Sequence, residues 1–182
     1  MINILSVGKL DQPRKDFFTL LKALAWVDFD YTLTIVGSCK TMNEYAVTLL
    51  QTPQVTFKTD LTPKQMEVEY KKADLFILSA YNEPANYSIL EAMSYGLPVI
   101  CSDTNGSRCY VHWGCIFKSR NWNDLYRVIT CVARDLKAWG RVSKTCVKED
   151  HNPVDNVKRL VEVLDTLVSV PPRSNSEVLK SL

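Results

Sequence analysis

Short apolar runs alternate along this chain with longer stretches of helical periodicity. Ile2 to Val7, the β-branched run Tyr31-Thr32-Leu33-Thr34-Ile35-Val36, Val55 to Phe57, Asp74 to Leu78 and Pro98 to Cys101 read as strands. Between them lie helical patterns. Asp16 to Val27 sets Phe17, Leu20, Leu21, Leu24 and Val27 on one face, and Met42 to Leu50 forms a second. A third opens at Thr62-Pro63, a hydroxyl cap followed by the residue best suited to a first helical position, and runs to about Lys71. Tyr87 to Tyr95 is stopped by Gly96. A short extended piece near Cys115 to Phe117 precedes helical patterns at Asn121 to Ala133, Lys137 to Val147 and Pro153 to Val168.

Strands separated by helices of this length predict βαβ units. The expected fold is therefore α/β, a Rossmann-like three-layer domain around a mostly parallel sheet. We place it over residues 1–168, with 169–182, which carries two prolines among small polar residues, as a flexible tail. Such sheets bind ligands outside the carboxyl ends of their strands. The functional loops are thus expected after the first, second, fourth and fifth strands, beginning near Gly8, Gly37, Ser79 and Ser102.

Composition narrows the picture. The 182 residues are 46% hydrophobic and 23% charged, which excludes a disordered or low-complexity chain. A net charge of +2 gives no electrostatic footprint for nucleic acid. No window approaches the roughly 18 apolar residues of a membrane span, and the N-terminus carries no basic, cleavable leader pattern. Six cysteines without a CxxC pair, beside only two histidines, argue against a metal centre or a disulfide framework. A cytoplasmic chain follows from these signs. Cys101 reads as core, Trp26 and Met93 as packing residues, and Trp113, Trp122 and Trp139 as core or packing residues.

Three segments could carry chemistry. Gly8-Lys9-Leu10-Asp11-Gln12-Pro13-Arg14-Lys15 places three cations between a strand end and a helix start, which suits a diphosphate. It is neither a GxGxxG fingerprint nor a Walker A loop. A solvated turn is the other reading. Asn82-Glu83-Pro84-Ala85-Asn86-Tyr87-Ser88-Ile89-Leu90-Glu91 follows the most apolar strand and brings two carboxylates, Glu83 in the loop and Glu91 on the helix. Carboxylates accept well from the vicinal hydroxyls of a ribose or hexose, yet a helix-start acid and a surface acid explain them equally. Ser102 to Arg108 is a polar turn whose N–H groups either face an anion or only turn the chain.

Taken in order, these pieces resemble a known family. Val7-Gly8-Lys9-Leu10 with Lys15, Leu33 to Gly37, Ala73 to Ser79, Glu83 through Glu91 with Ala92-Met93, and Gly96-Leu97-Pro98-Val99-Ile100 together look like the C-terminal, donor-binding half of a GT-B glycosyltransferase. The family is retaining glycosyltransferase family 4, the glycosyl transferases group 1, and the likeness covers about residues 4–135. The resemblance implies a nucleotide-sugar site without metal or other cofactor, the donor being a UDP- or GDP-sugar. It assigns Lys9 and Lys15 to the donor diphosphate, Glu83 to the transferred sugar and Glu91 to the ribose. Gly8, Asn86 and Tyr87 line the binding loops, and Lys58 to Leu61 lies near the base. Glu83, Lys9 and Lys15 are the catalytic set it implies.

Two departures stand out: Ala85-Asn86 where the family often has Phe-Gly, and Ser38-Cys39 where glycine continues after Gly37. The expected reaction is hexosyl transfer with retention, to a saccharide or lipid-linked acceptor in polysaccharide, lipopolysaccharide or glycoconjugate synthesis. In the family an N-terminal half binds the acceptor, so the chain alone is expected to bind nucleotide without efficient transfer. A GT-B-like module with a decayed site, and part of a sugar-nucleotide epimerase, are the alternatives. Between Thr104 and Lys148 nine Lys/Arg face two acids. This asymmetry suits either peripheral contact with an anionic membrane or a solvated helical face.

Overall fold

The computed structural model describes residues 1–41 and 44–150. Within Met1–Lys148, one of the two units into which the chain divides, six strands form a single sheet. They are β1 (Ile2–Val7), β2 (Tyr31–Val36), β3 (Val55–Lys58), β4 (Leu75–Leu78), β5 (Val99–Ser102) and β6 (Ile116–Phe117). Their order is β3-β2-β1-β4-β5-β6, and every pair is parallel. The sheet is thus wholly parallel. The expected extended piece near Cys115 becomes the two-residue edge strand β6, registered on Cys101 and Ser102.

The helices are α1 (Phe17–Leu24), α2 (Glu44–Leu50), α3 (Pro63–Lys72), α4 (Tyr87–Ser94), α5 (Trp122–Ala133) and α6 (Leu136–Asp150). Parallel neighbours need crossovers, and right-handed ones cover both sheet faces. The two strands covered on both faces are accordingly buried throughout: all four residues of β4, all apolar, and of β5, apolar but for Ser102, are buried. Leu33, Ile35, Phe76 and Ile77 form the middle of the core, with Phe17, Leu20 and Leu24 of α1 and Val128, Ile129 and Val132 of α5 packed onto it. Both Cys101 and Cys115 are buried there, and burial pushes each thiol up to about 12.

Several boundaries differ from the sequence expectation for identifiable reasons. The first helix begins at Phe17 because Asp16 adopts φ 52°, a left-handed conformation that no helical residue takes, after a 3-10 turn at Pro13–Lys15. It ends at Leu24, short of Val27. Asp74 stays outside β4, its carboxylate accepting from the backbone and side-chain amides of Asn3 at 2.8 and 2.9 Å. Thr62 caps α3 as expected, reinforced by a reciprocal capping box with Gln65. Gly96 ends α4 with φ 79°. Met42, the helix at Pro153 to Val168 and the tail lie outside the described residues.

Trp113 is not a core residue, and Trp26 packs only through one ring face. Trp113 is 81% exposed, because it opens a 3-10 turn that carries its ring outward beside His112. Trp26 is 64% exposed; one ring face lies on Trp122, with centroids 5.9 Å apart, while the rest faces solvent. Trp122 and Trp139 do pack against the core.

Candidate functional site

The strand order reverses at β1. The chain runs outward from β1 to β2 and β3, then returns to lay β4 on β1's other side. The loops leaving β1 and β4 therefore diverge and open a crevice at their carboxyl ends, the topological switch point of an open α/β sheet. A cleft of about 550 Å³ lies there, within the range of about 300–1,000 Å³ typical of small-molecule sites. Its walls come from the loop after β1 (Gly8, Lys9, Gln12, Arg14, Lys15), the loop after β2 (Gly37, Ser38) and the β4–α4 segment (Glu83, Ala85, Asn86, Tyr87, Ser88, Glu91). All seven residues singled out from the sequence, Gly8, Lys9, Lys15, Glu83, Asn86, Tyr87 and Glu91, line this one cleft.

Backbone closeness shapes its floor. Gly8 donates to the Val36 carbonyl at 2.9 Å, and Gly37 donates to the Lys58 carbonyl at 3.0 Å. A Cβ on Gly37 would sit 2.0 Å from the Gly8 carbonyl oxygen, so only glycine lets the first two loops touch. Lys15 is anchored from behind: the Ser79 hydroxyl donates to its carbonyl at 2.8 Å. The Lys15 residue is 8% exposed, and its ammonium meets Glu83 Oε2 at 2.6 Å. Arg14 Nη1 reaches the same oxygen at 3.1 Å. Arg14 was visible in the sequence as one of three cations, but its pairing with Glu83 joins segments 69 residues apart and carries no local signal. Lys9 and Tyr87 project exposed side chains at the rim.

The β4–α4 loop is held from the β5 side. Gly106 donates to the Glu83 carbonyl at 2.8 Å, and a Cβ there would lie 1.7 Å from the Pro84 oxygen. The Ser107 hydroxyl accepts from the Asn86 backbone at 2.8 Å, and Asn105 Oδ1 accepts from the Ser107 amide at 2.9 Å. The segment Ser102 to Arg108 therefore buttresses the Glu83 loop. Asn86 is extended, with φ −137°, and caps α4 by accepting from the Ser88 amide at 3.1 Å. An asparagine at this position, where the related pattern often has glycine, thus supplies the helix cap. The same contacts use the amides of Asn86 and Ser88, which do not face the cleft as free donors.

Glu91 stands one helical turn beyond Tyr87. Its Oε2 accepts from the hydroxyl of Tyr70, on α3, at 2.7 Å. Tyr70 was not identified from the sequence. The loop Lys58 to Leu61 does not line the cleft. Lys58 pairs instead with Glu69 at 2.8 Å, in a separate groove of about 330 Å³ beside the early residues of β1 and β2. That groove runs along β1 and β2 upstream of their last residues and meets β3 at its final residue, Lys58. Among the described residues no group of three or more His, Cys, Asp and Glu is placed to hold a metal ion, and no helix is long and apolar enough to cross a membrane.

Known proteins share sequence or fold with this chain. The chain is 32% identical over 102 residues to the UDP-Gal:alpha-D-GlcNAc-diphosphoundecaprenol alpha-1,3-galactosyltransferase of Escherichia coli, a match covering 55% of this chain and 26% of that protein. Its fold resembles that of sucrose-phosphate synthase from Thermosynechococcus elongatus, with a TM-score of 0.76, 21% identity, and coverage of 92% of this chain and 46% of the other. It is equally similar to Anabaena Alr3699/HepE, solved with UDP and glucose: TM-score 0.77, 19% identity, 91% and 48% coverage. The chain thus spans about half the length of these solved relatives and a quarter of the curated one. The family described as glycosyl transferases group 1 matches residues 2–142, the whole sheet and all three walls of the cleft. With that span the likeness of the separate loops becomes membership: the chain belongs to the glycosyl transferases group 1 family and is a Rossmann-like domain of the GT-B kind.

Proposed function

We propose that this chain is the donor-binding half of a retaining hexosyltransferase that uses a UDP-sugar. The observation that carries the reading is the convergence of Lys15, Arg14 and Glu83 at the switch point, with Glu91 in the same cleft. The UDP of the solved Anabaena relative and the UDP-galactose donor in the E. coli relative's name support uridine over guanosine. That relative's name also supports a lipid-linked saccharide as acceptor class.

The chemistry follows from charge. When the bond between the sugar's anomeric carbon and the diphosphate breaks, its electron pair leaves with the diphosphate. Lys15, Arg14 and Lys9 stabilise that growing negative charge in place of a metal ion. Glu83 faces the sugar side and favours the positive charge developing on the ring. Glu91 accepts from the ribose hydroxyls. The acceptor hydroxyl then bonds through its oxygen to the anomeric carbon on the face the diphosphate leaves, and its proton passes to the departing diphosphate oxygen. We assign acceptor binding to the part of the longer relatives that this chain does not match, so these 182 residues by themselves are expected to bind donor without efficient transfer.

Calorimetric titration with UDP and with GDP tests this. Saturable UDP binding, weakened at least about tenfold in Lys15→Ala and in Glu91→Ala, is expected, since each removes a charged hydrogen-bonding group. Binding of neither nucleotide would favour a decayed module.

A further inference from the structure

Tyr70 stands apart from the cleft's other neighbours. It lines no wall, yet its hydroxyl is spent on a cleft carboxylate. The residue is 3% exposed and sits near the end of α3. Its ring stacks on Tyr95, with centroids 5.2 Å apart and planes 12° from parallel, and meets Phe76 of β4 at 6.3 Å. A ring held on two sides has one orientation, so its hydroxyl is a fixed donor. Burial, first, and the Glu91 contact both push the Tyr70 hydroxyl above its ordinary 10, so it keeps its proton throughout the working pH range.

Glu91, by contrast, lies on the exposed side of α4. A free glutamate there would sample many rotamers, and ordering it on a ligand would oppose binding. The Tyr70 hydroxyl takes one lone pair of Oε2 at 2.7 Å. A carboxylate has about four such sites, so Oε1 and the remaining Oε2 lone pair stay available to the two hydroxyls of a vicinal diol.

We propose that Tyr70 is a positioning residue: it pre-orients the Glu91 carboxylate so that the ribose 2′- and 3′-hydroxyls of the donor meet an ordered acceptor. This rests on the reading of Glu91 as the ribose ligand. It makes α3 part of donor selection although no α3 residue lines the cleft.

The test pairs Tyr70→Phe, which keeps the stacked ring and removes only the oxygen, with two calorimetric probes, UDP and 2′,3′-dideoxy-UDP. Expected is a loss of about fivefold in UDP affinity, in line with one charge-assisted hydrogen bond acting at second hand. The dideoxy analogue, lacking the diol, should bind both proteins alike. In a Glu91→Gln background Tyr70→Phe should add almost nothing. Equal weakening of both probes would assign Tyr70 to structure alone and overturn the proposal. So would unchanged UDP affinity in Tyr70→Phe while Glu91→Gln weakens it. Unchanged affinity in Glu91→Gln itself would instead remove the ribose reading beneath the proposal.

Discussion

At the scale of single residues the site is a contest among charges. Glu83 accepts from both Lys15 and Arg14, so in the unliganded protein the cations that suit a diphosphate are held by an internal anion. Incoming phosphate oxygens must share those donors with a carboxylate of the same sign. A consequence follows for Glu83→Gln. Removing the negative charge frees Lys15 and Arg14 toward phosphate, so UDP should bind tighter, by about two- to fivefold. The same variant should lose the extra affinity of a UDP-hexose over UDP, because Glu83 faces the sugar. Calorimetry with both ligands checks the two signs together. UDP weakened by Glu83→Gln would contradict the proposed division of labour. Lys15 and both carboxylates were legible in the sequence because the family pattern fixes their order along the chain. Arg14's pairing and Tyr70's hydroxyl were not, because each depends on which strands and helices become neighbours. Trp113 went astray for a related reason: hydrophobicity alone does not reveal that a 3-10 turn carries it outward.

At the scale of elements the cleft exists because loops touch without side chains between them. Strand alternation with helices made the α/β class readable, and the all-parallel order then places the loops after β1 and β4 side by side. What the pattern could not give was the close contact between the loops after β1 and β2. Gly37→Ala would drive a Cβ into the Gly8 carbonyl 2.0 Å away, pushing the cation-bearing loop off β2. Expected are a stability loss of about 1–3 kcal/mol, as for overpacked sites, and a loss of UDP affinity of about tenfold or more. Gly96→Ala serves as the contrast. Its φ of 79° disfavours a side chain, but a Cβ there meets only the Lys144 chain at 3.9 Å. It should lower stability by about 1–2 kcal/mol and leave UDP affinity unchanged. Denaturant unfolding and calorimetry on both variants separate damage to the fold from damage to the site. The later start of α1 is likewise explained by a single backbone state, the left-handed Asp16.

At the scale of the whole molecule, one sheet presents one set of carboxyl ends, and the described chemistry gathers there. The basic stretch from Thr104 to Lys148 lies in the segments after β5, with Arg127 already paired to Asp124 at 2.8 Å. The central claim is that the switch-point cleft, rather than the Lys58–Glu69 groove, holds the nucleotide. A crystal structure of this chain with UDP tests it most directly. The proposed arrangement places the diphosphate against Lys15 and Arg14 in the loop after β1, with the ribose hydroxyls on Glu91. Nucleotide density in the groove beside Lys58 and Lys72, or a diphosphate turned away from Lys15, would contradict it.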